Sequence, residues 1–257
     1  MRLLLVCLLA LVVLAVLAPV LIWSVADQWF APALWPQALG LRGFRALASS
    51  GVGPATVASV AIAAASAGLA TALAYPAGRA LGLSDFRGKS ALRVFLFSPV
   101  LFPPMAAALG MHSSFIRLGL ADTSFGVVLA HVVPALPYAI GAIAAAFERF
   151  DPRYEDVART LGASRLRVLG TVTLPLVWPG LAVGALFAFL VSWSQYALTL
   201  VIGGGVVITL PVLLFGLASG GDLQVTAAAC VAFLIPVLLL TPITARALQG
   251  TRLGGRG

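Results

Sequence analysis

Three features of this sequence predict an all-α membrane protein with about six transmembrane helices: scarce charge, long uncharged stretches, and basic residues crowded to alternate loops. Hydrophobic residues make up 61% of the 257 and charged residues 9%, and the mean hydropathy is +1.07. A soluble domain carries roughly 25% charged residues, so this chain has too little polar surface to face water all round. Uncharged stretches run Leu3–Ala26, Ala46–Gly78, Val94–Ile116, Thr123–Phe147, Val168–Gly221 and Leu223–Ala245. Each exceeds the roughly 20 apolar residues that a helix needs to cross the hydrocarbon core. Lipid offers no partner to free backbone groups, so helices are expected there. A barrel would instead show alternating segments of about ten residues, and none appear.

The predicted spans are residues 3–26, 54–78, 94–116, 123–147, 179–202 and 223–245, in one transmembrane domain of 257 residues. The first is longer than a signal-peptide core of roughly 7–15 residues and has just Arg2 before it, so it is read as a retained span although Ser24-Val25-Ala26 resembles a cleavage site. Small residues Ala64, Gly68 and Ala72 in the second span suit close helix contacts. Pro99, Pro103 and Pro104 in the third span, and Pro134 and Pro137 in the fourth, should kink their helices.

Lys and Arg favour the cytoplasmic side. With the N-terminus inside, thirteen basic residues fall on that side: Arg2, Arg79, Arg87, Lys89, Arg93, Arg149, Arg153, Arg159, Arg165, Arg167, Arg246, Arg252 and Arg256. Three, Arg42, Arg45 and Arg117, fall outside. Both termini are therefore expected to be cytoplasmic. The same count allows just one crossing in Val168–Gly221: a helix over about Pro179–Ile202, a break at Gly203-Gly204-Gly205 and Pro211, and a short helix or loop at the outer face over Val206–Ser219. Cys7 and Cys230 lie inside apolar spans and read as small hydrophobes rather than a disulfide. The pI near 10.7 reflects membrane orientation; the basic residues form no patch for nucleic acid.

The long inner loop, residues 148–175, between spans 4 and 5, holds nine of the chain's 24 charges. Pro152 favours a helix start after Asp151, and Glu155 and Asp156 then fall in the first turn, where the helix dipole favours negative charge. Val157, Leu161 and Leu166 supply an apolar stripe, and Gly162 can end the helix. A short amphipathic helix on the cytoplasmic surface is expected, with Pro175 and Pro179 opening the next span.

At this loop the chain resembles the permease subunits of binding-protein-dependent ABC importers. Their inner-loop motif is Glu-Ala-Ala, three residues, Gly, nine residues, Ile, any residue, Leu-Pro. Asp156-Val157-Ala158, Gly162, Val172, Leu174 and Pro175 stand at that spacing, with Asp for Glu, Val for the first Ala and Val for Ile. In that family the loop helix is a coupling helix that docks into a separate ATPase subunit. The resemblance assigns this contact to Glu155, Asp156, Ala158, Arg159, Gly162 and Ala163. It implies two ATPase subunits, a second permease (identical or a sister chain), an extracytoplasmic solute-binding protein and a multi-pass location in a bacterial inner membrane surrounded by lipid. It implies no cofactor in this chain, with ATP bound by the partner. Consistently, the sequence lacks a G-x-x-x-x-G-K-[ST] phosphate loop.

In the fifth span, Ser192, Gln195 and Thr199 share a face at helical spacing, with Tyr196 beside them. They are candidates for a translocation path, and equally for bonds that hold helices together. The run Ser192–Tyr196 followed by the three glycines and Thr209-Leu210-Pro211 resembles the permease branch handling polyamines, thiamine and ferric iron. His112 and His131 read as packing residues, and no His, Asp and Glu group has metal spacing. A secondary transporter is expected to carry an intramembrane carboxylate and a membrane enzyme a catalytic constellation; neither is found.

Overall fold

The computed structural model describes residues 2–30 and 32–253; side chains are described for these apart from residues 2, 3, 6, 7, 9, 10 and 243–253. The side chains of Cys7, Arg246 and Arg252, and all of Arg256, therefore lie outside the described residues. In order, the elements are α1 (Arg2–Ser24), β1 (Ala26–Gln28), β2 (Ala38–Leu39), α2 (Arg42–Ser49), α3 (Val52–Leu83), α4 (Lys89–Phe97), α5 (Pro104–Arg117), α6 (Ser124–Phe147), α7 (Arg153–Thr160), α8 (Arg165–Val168), α9 (Leu174–Trp193), α10 (Ala197–Ile202), α11 (Leu210–Ser219) and α12 (Leu223–Leu253). A 3₁₀ turn, Ser98–Leu101, follows α4, and a π-helical turn, Leu169–Thr173, joins α8 to α9.

Among the described residues, four helical stretches are long and apolar enough to cross a membrane: Val52–Leu83, Ser124–Phe147, Arg165–Trp193 and Leu223–Pro242. A fifth arises if Lys89–Leu101 and Pro104–Arg117, bent by 97°, count as one span. The bend falls at Phe102-Pro103, where the backbone is extended before Pro104 opens α5; proline removes a donor and clashes with the preceding turn. By contrast, Pro134 and Pro137 sit inside the unbroken α6.

The fold is helical, with one small antiparallel pair beside Asp27, Ala26 opposite Leu39 and Gln28 opposite Ala38. One further expectation is corrected. The fifth span is not one helix over 179–202. Helix begins at Arg165, before both prolines, ends at Trp193, and resumes at Ala197. Pro175 does not stop this helical run; it follows directly on the π-helical turn Leu169–Thr173, where the regular bond ladder is already altered. A short helix, α11, does follow the glycines.

The chain clusters into two units, residues 1–58 with 208–238, and residues 59–207 with 239–257. In the first, α2 packs flush on α12: a Cβ on Gly43 would fall 2.5 Å from the Gln224 carbonyl. Leu47, Val225, Ala228 and Ala229 form its core. Asp27 accepts a hydrogen bond from the Arg42 amide at 2.8 Å, and Arg42 pairs with Asp222 at 2.6 Å.

In the second unit α6 is the central helix, packed between α3 and α9 around Ile140, Ile143 and Phe147. Small residues allow the approach. A Cβ on Gly78 would lie 2.6 Å from Ile143, one on Gly82 would meet Phe147, and one on Gly180 would meet Ala146. The α3 residues that pack inward are Ala63, Ala67, Ala70 and Ala74. Ala64, Gly68 and Ala72 instead face away from the chain's own core, with open space around Gly68. That is a correction: at 3.6 residues per turn a stripe one residue over looks in a different direction.

Candidate functional site: the inner loop helix and the break after α9

The loop over residues 148–175 forms a short helix where the sequence predicts one. Asp151 accepts a hydrogen bond from the Arg153 amide at 2.9 Å and opens α7. The helix ends at Thr160, and Gly162 adopts φ of +84°, a left-handed conformation that a side chain disfavours. The Gly162 amide closes on Arg159 O at 2.9 Å and the Ala163 amide on Ala158 O at 3.1 Å. The chain then reverses, and the Ser164 hydroxyl accepts from the Arg167 amide at 3.4 Å as α8 leads back toward α9.

The polarity of α7 is inverted. Its one buried side chain is Glu155, 4% exposed, while Tyr154 and Val157 on the helix and Leu161 just beyond it are 59%, 59% and 83% exposed. Arg79 at the end of α3 grips both Glu155 carboxylate oxygens, Nη1 to Oε1 at 2.7 Å and Nη2 to Oε2 at 2.8 Å. The Thr173 hydroxyl, on the π-helical turn, donates to Oε1 at 2.7 Å, and Arg159 Nη2 donates to Oε2 at 3.3 Å. Such a fork-on-fork pair with extra donors is what permits a carboxylate to be buried. The Arg79 hydrogen bonds, with Thr173 and the nearby arginines adding to them, hold the Glu155 carboxyl below the usual carboxylate range against the opposing effect of burial. The Arg79 guanidinium also lies 5.5 Å from the centre of the Phe147 ring on α6.

Of the six residues assigned to docking, Asp156, Arg159 and Gly162 are exposed and Ala158 and Ala163 half-buried, on one compact loop. Glu155 alone turns inward. Val172 and Leu174 are half-buried and Pro175 exposed; the position between them, Thr173, is the one that enters the cluster. Arg79 and Thr173 were not legible as members of this group. Arg79 read as one of many inner-face cations, and Thr173 occupies the motif position where any residue is allowed. A lone arginine near the C-terminal end of an otherwise uncharged helix was the available signal.

The four residues proposed for a path separate. Ser192 and Thr199 are buried against His131, whose Nδ1 lies 2.8 Å from Ser192 Oγ and Nε2 3.0 Å from Thr199 Oγ1. They bind helices together. Gln195 instead lines an apolar cavity of about 680 Å³ with Phe102, Met111, Pro134 and Tyr138; Tyr196 is half-buried. The reason is the break at Ser194–Tyr196, which interrupts the helical register on which a shared face depends. No group of three or more His, Cys, Asp or Glu among the described residues, His112 included, is placed to hold a metal.

Residues 74–251 match the family described as binding-protein-dependent transport system inner membrane component. The chain belongs to this family. It is a multi-pass membrane protein, and the family is one of transport components, not of enzymes. Its similar relatives include the molybdate/tungstate transport system permease protein WtpB of Pyrococcus abyssi, 32% identical over 49% of this chain and 51% of that one. The spermidine/putrescine transport system permease protein PotC of Haemophilus influenzae is 32% identical over 65% of each chain. The molybdenum transport system permease protein ModB of Mycobacterium tuberculosis is 35% identical over 60% of this chain and 64% of that one. The match thus spans about half to two thirds of the length of these relatives. In fold the chain resembles a bacterial ABC transporter for import of the acidic polysaccharide alginate, with a TM-score of 0.73, 19% identity and coverage of 95% and 94%. It also resembles the MetNI methionine ABC transporter, with a TM-score of 0.59, 18% identity and coverage of 77% and 95%.

Proposed function

We propose that this chain is the permease subunit of an ABC importer: it forms half of a solute pathway and couples it to a separate ATPase. The observation that carries the reading is the inverted helix α7. A short surface helix that buries its carboxylate and turns Tyr154, Val157 and Leu161 outward has an apolar face in need of a partner. Asp156, Arg159 and Gly162 beside that face supply the polar rim.

In this reading the chain crosses the membrane six times, with α1 and α12 starting and ending on the cytoplasmic side, and α7 lies on that side as the coupling helix. Two ATPase subunits bind and hydrolyse the ATP, so this chain needs no cofactor. A second permease, identical or a sister chain, completes the pore, and an extracytoplasmic binding protein delivers the solute. ATP-driven closure of the ATPases moves α7 and reorients the helices between inward and outward access. Similar relatives are named for oxyanions and for cationic polyamines. That chains this alike are named for solutes of opposite charge supports a choice of solute made largely by the binding protein.

The test is co-purification with the ATPase encoded beside it, comparing wild type with Leu161→Glu, Val157→Glu and Gly162→Arg. Wild type should hold the ATPase; each variant should release it while eluting as a folded permease. Leu161→Glu is the cleanest, because it changes the exposed face without a positive-φ position. Equal binding by all four chains would overturn the reading.

A further inference from the structure

Three elements converge on the Glu155 carboxylate: α7, which carries it, α3 through Arg79, and the start of α9 through Thr173 on the π-helical turn. The first two of these are otherwise far apart in sequence, and α7 itself is a helix of eight residues between turns. A helix this short has little stiffness of its own. What is firm lies above it. The cytoplasmic-side stretches of α3, α6 and α9 pack through glycines, with Gly78 against Ile143, Gly82 against Phe147 and Gly180 against Ala146, too close to admit a methyl group without movement. Arg79 belongs to this packed body on both sides, since it is on α3 and lies over the Phe147 ring of α6.

We infer that the Arg79–Glu155 pair is the joint through which displacement of α7 is passed to the packed α3–α6–α9 body, with Arg79 as a positioning residue that touches neither ATPase nor solute. The inference rests on the docking reading above and adds the element that makes docking productive. Its geometry suits the task. Two parallel hydrogen bonds from one guanidinium fix orientation as well as distance, and a single bond would leave α7 free to swivel. Thr173 closes the third side, so a push on α7 reaches α3 and the N-terminal end of α9 together. A cavity of about 190 Å³ bounded in part by Tyr75, Arg79, Glu155, Arg165, Val168 and Thr173 lies at the same place. The docking face of α7, by contrast, points the other way and shares no side chain with the joint except Arg159, which bonds Glu155 at 3.3 Å. Docking and transmission are therefore separable by mutation.

The experiment uses the complex of this chain with the ATPase encoded beside it. Spin labels go at Ser84→Cys, just past α3, and Arg153→Cys, at the start of α7, both exposed, in a chain carrying Cys7→Ala and Cys230→Ala. Distances are read without nucleotide and after trapping with ATP and vanadate. For wild type the two labels should keep one narrow distance in both states, because α7 and α3 move as one. Arg79→Met and, independently, Glu155→Gln should keep the ATPase within about twofold of wild type yet give a broad distribution that shifts on trapping; Arg79→Lys should narrow it part of the way back. A narrow, unshifted distance in both variants while the ATPase stays bound would overturn the joint and leave the docking reading standing. Failure of the wild type to hold any ATPase would overturn the docking reading and the joint with it.

Discussion

The imidazole of His131 on α6 meets the Ser192 hydroxyl near the end of α9 at 2.8 Å. Its other ring nitrogen meets Thr199 on α10 at 3.0 Å. One side chain therefore fastens both sides of the break in the former fifth span. The Thr199 hydroxyl also donates to the Gln195 carbonyl at 3.0 Å, which recovers a backbone acceptor freed by that break. All three side chains are buried.

His131→Ala removes both partners at once and leaves the Ser192 hydroxyl without its ring contact. An unsatisfied buried polar group costs about 1–3 kcal/mol, and the cavity adds to it. The thermal midpoint of the detergent-solubilised protein should fall clearly for His131→Ala and less for His131→Asn, which retains a donor and an acceptor. Equal midpoints for both variants and wild type would remove the fastening role.

Arg79 and Glu155 should respond unequally. Removing Arg79 leaves a buried carboxylate with Thr173 and Arg159 as remaining donors. Breaking a buried pair from one side costs about 3 kcal/mol or somewhat more. Arg79→Met should therefore be more damaging than the double change Arg79→Met with Glu155→Met, which removes both charges. Thermal midpoints of the two variants measured side by side decide this.

The same carboxylate sets a pH dependence. Its folded pKa lies below the unfolded value, chiefly because of Arg79, so the pair stabilises the fold fully above the unfolded pKa of about 4.3. That contribution disappears as pH falls through the folded value. Arg79, Arg159 and Thr173 are the groups that face it. Wild type should exceed Glu155→Gln in thermal midpoint at pH 7, and the gap should close below about pH 4; a gap independent of pH would contradict the assignment.

Two glycines make a matched pair for packing. A Cβ on Gly180 would meet Ala146, whereas one on Gly68 meets nothing within 4 Å. Gly68→Ala should be neutral or stabilise by up to about 1 kcal/mol, since alanine is the better helix former. Gly180→Val should force α9 off α6 and cost about 1–3 kcal/mol. Thermal midpoints in the same detergent compare them directly; a tolerated Gly180→Val would show that the approach of α6 and α9 is not the constraint.

Much of the fold was legible because it is local. Long uncharged stretches, Asp151 before Pro152, and Gly162 after an apolar stripe each act within a few residues, and helices and turns formed where those signals lie. The prolines act unequally. Pro103 breaks the chain between α4 and α5 while Pro134 and Pro137 do not break α6, and the difference rests on what surrounds each one. The path residues fared likewise: Ser192, Gln195 and Thr199 were placed on one face by assuming a continuous helix, and Ser194 ends it.

The sequence by itself determined that the chain is a helical membrane protein with a motif-bearing loop between its fourth and fifth predicted spans, because hydropathy and helix-stopping residues act along the chain. Tertiary structure alone decided which polar groups are buried and with whom. Glu155 and Arg79 stand 76 residues apart, His131 and Thr199 68 apart. No periodicity links positions so distant; close packing of α3, α6 and α9 brings them together, and only there does each buried polar group find the partner that its burial requires.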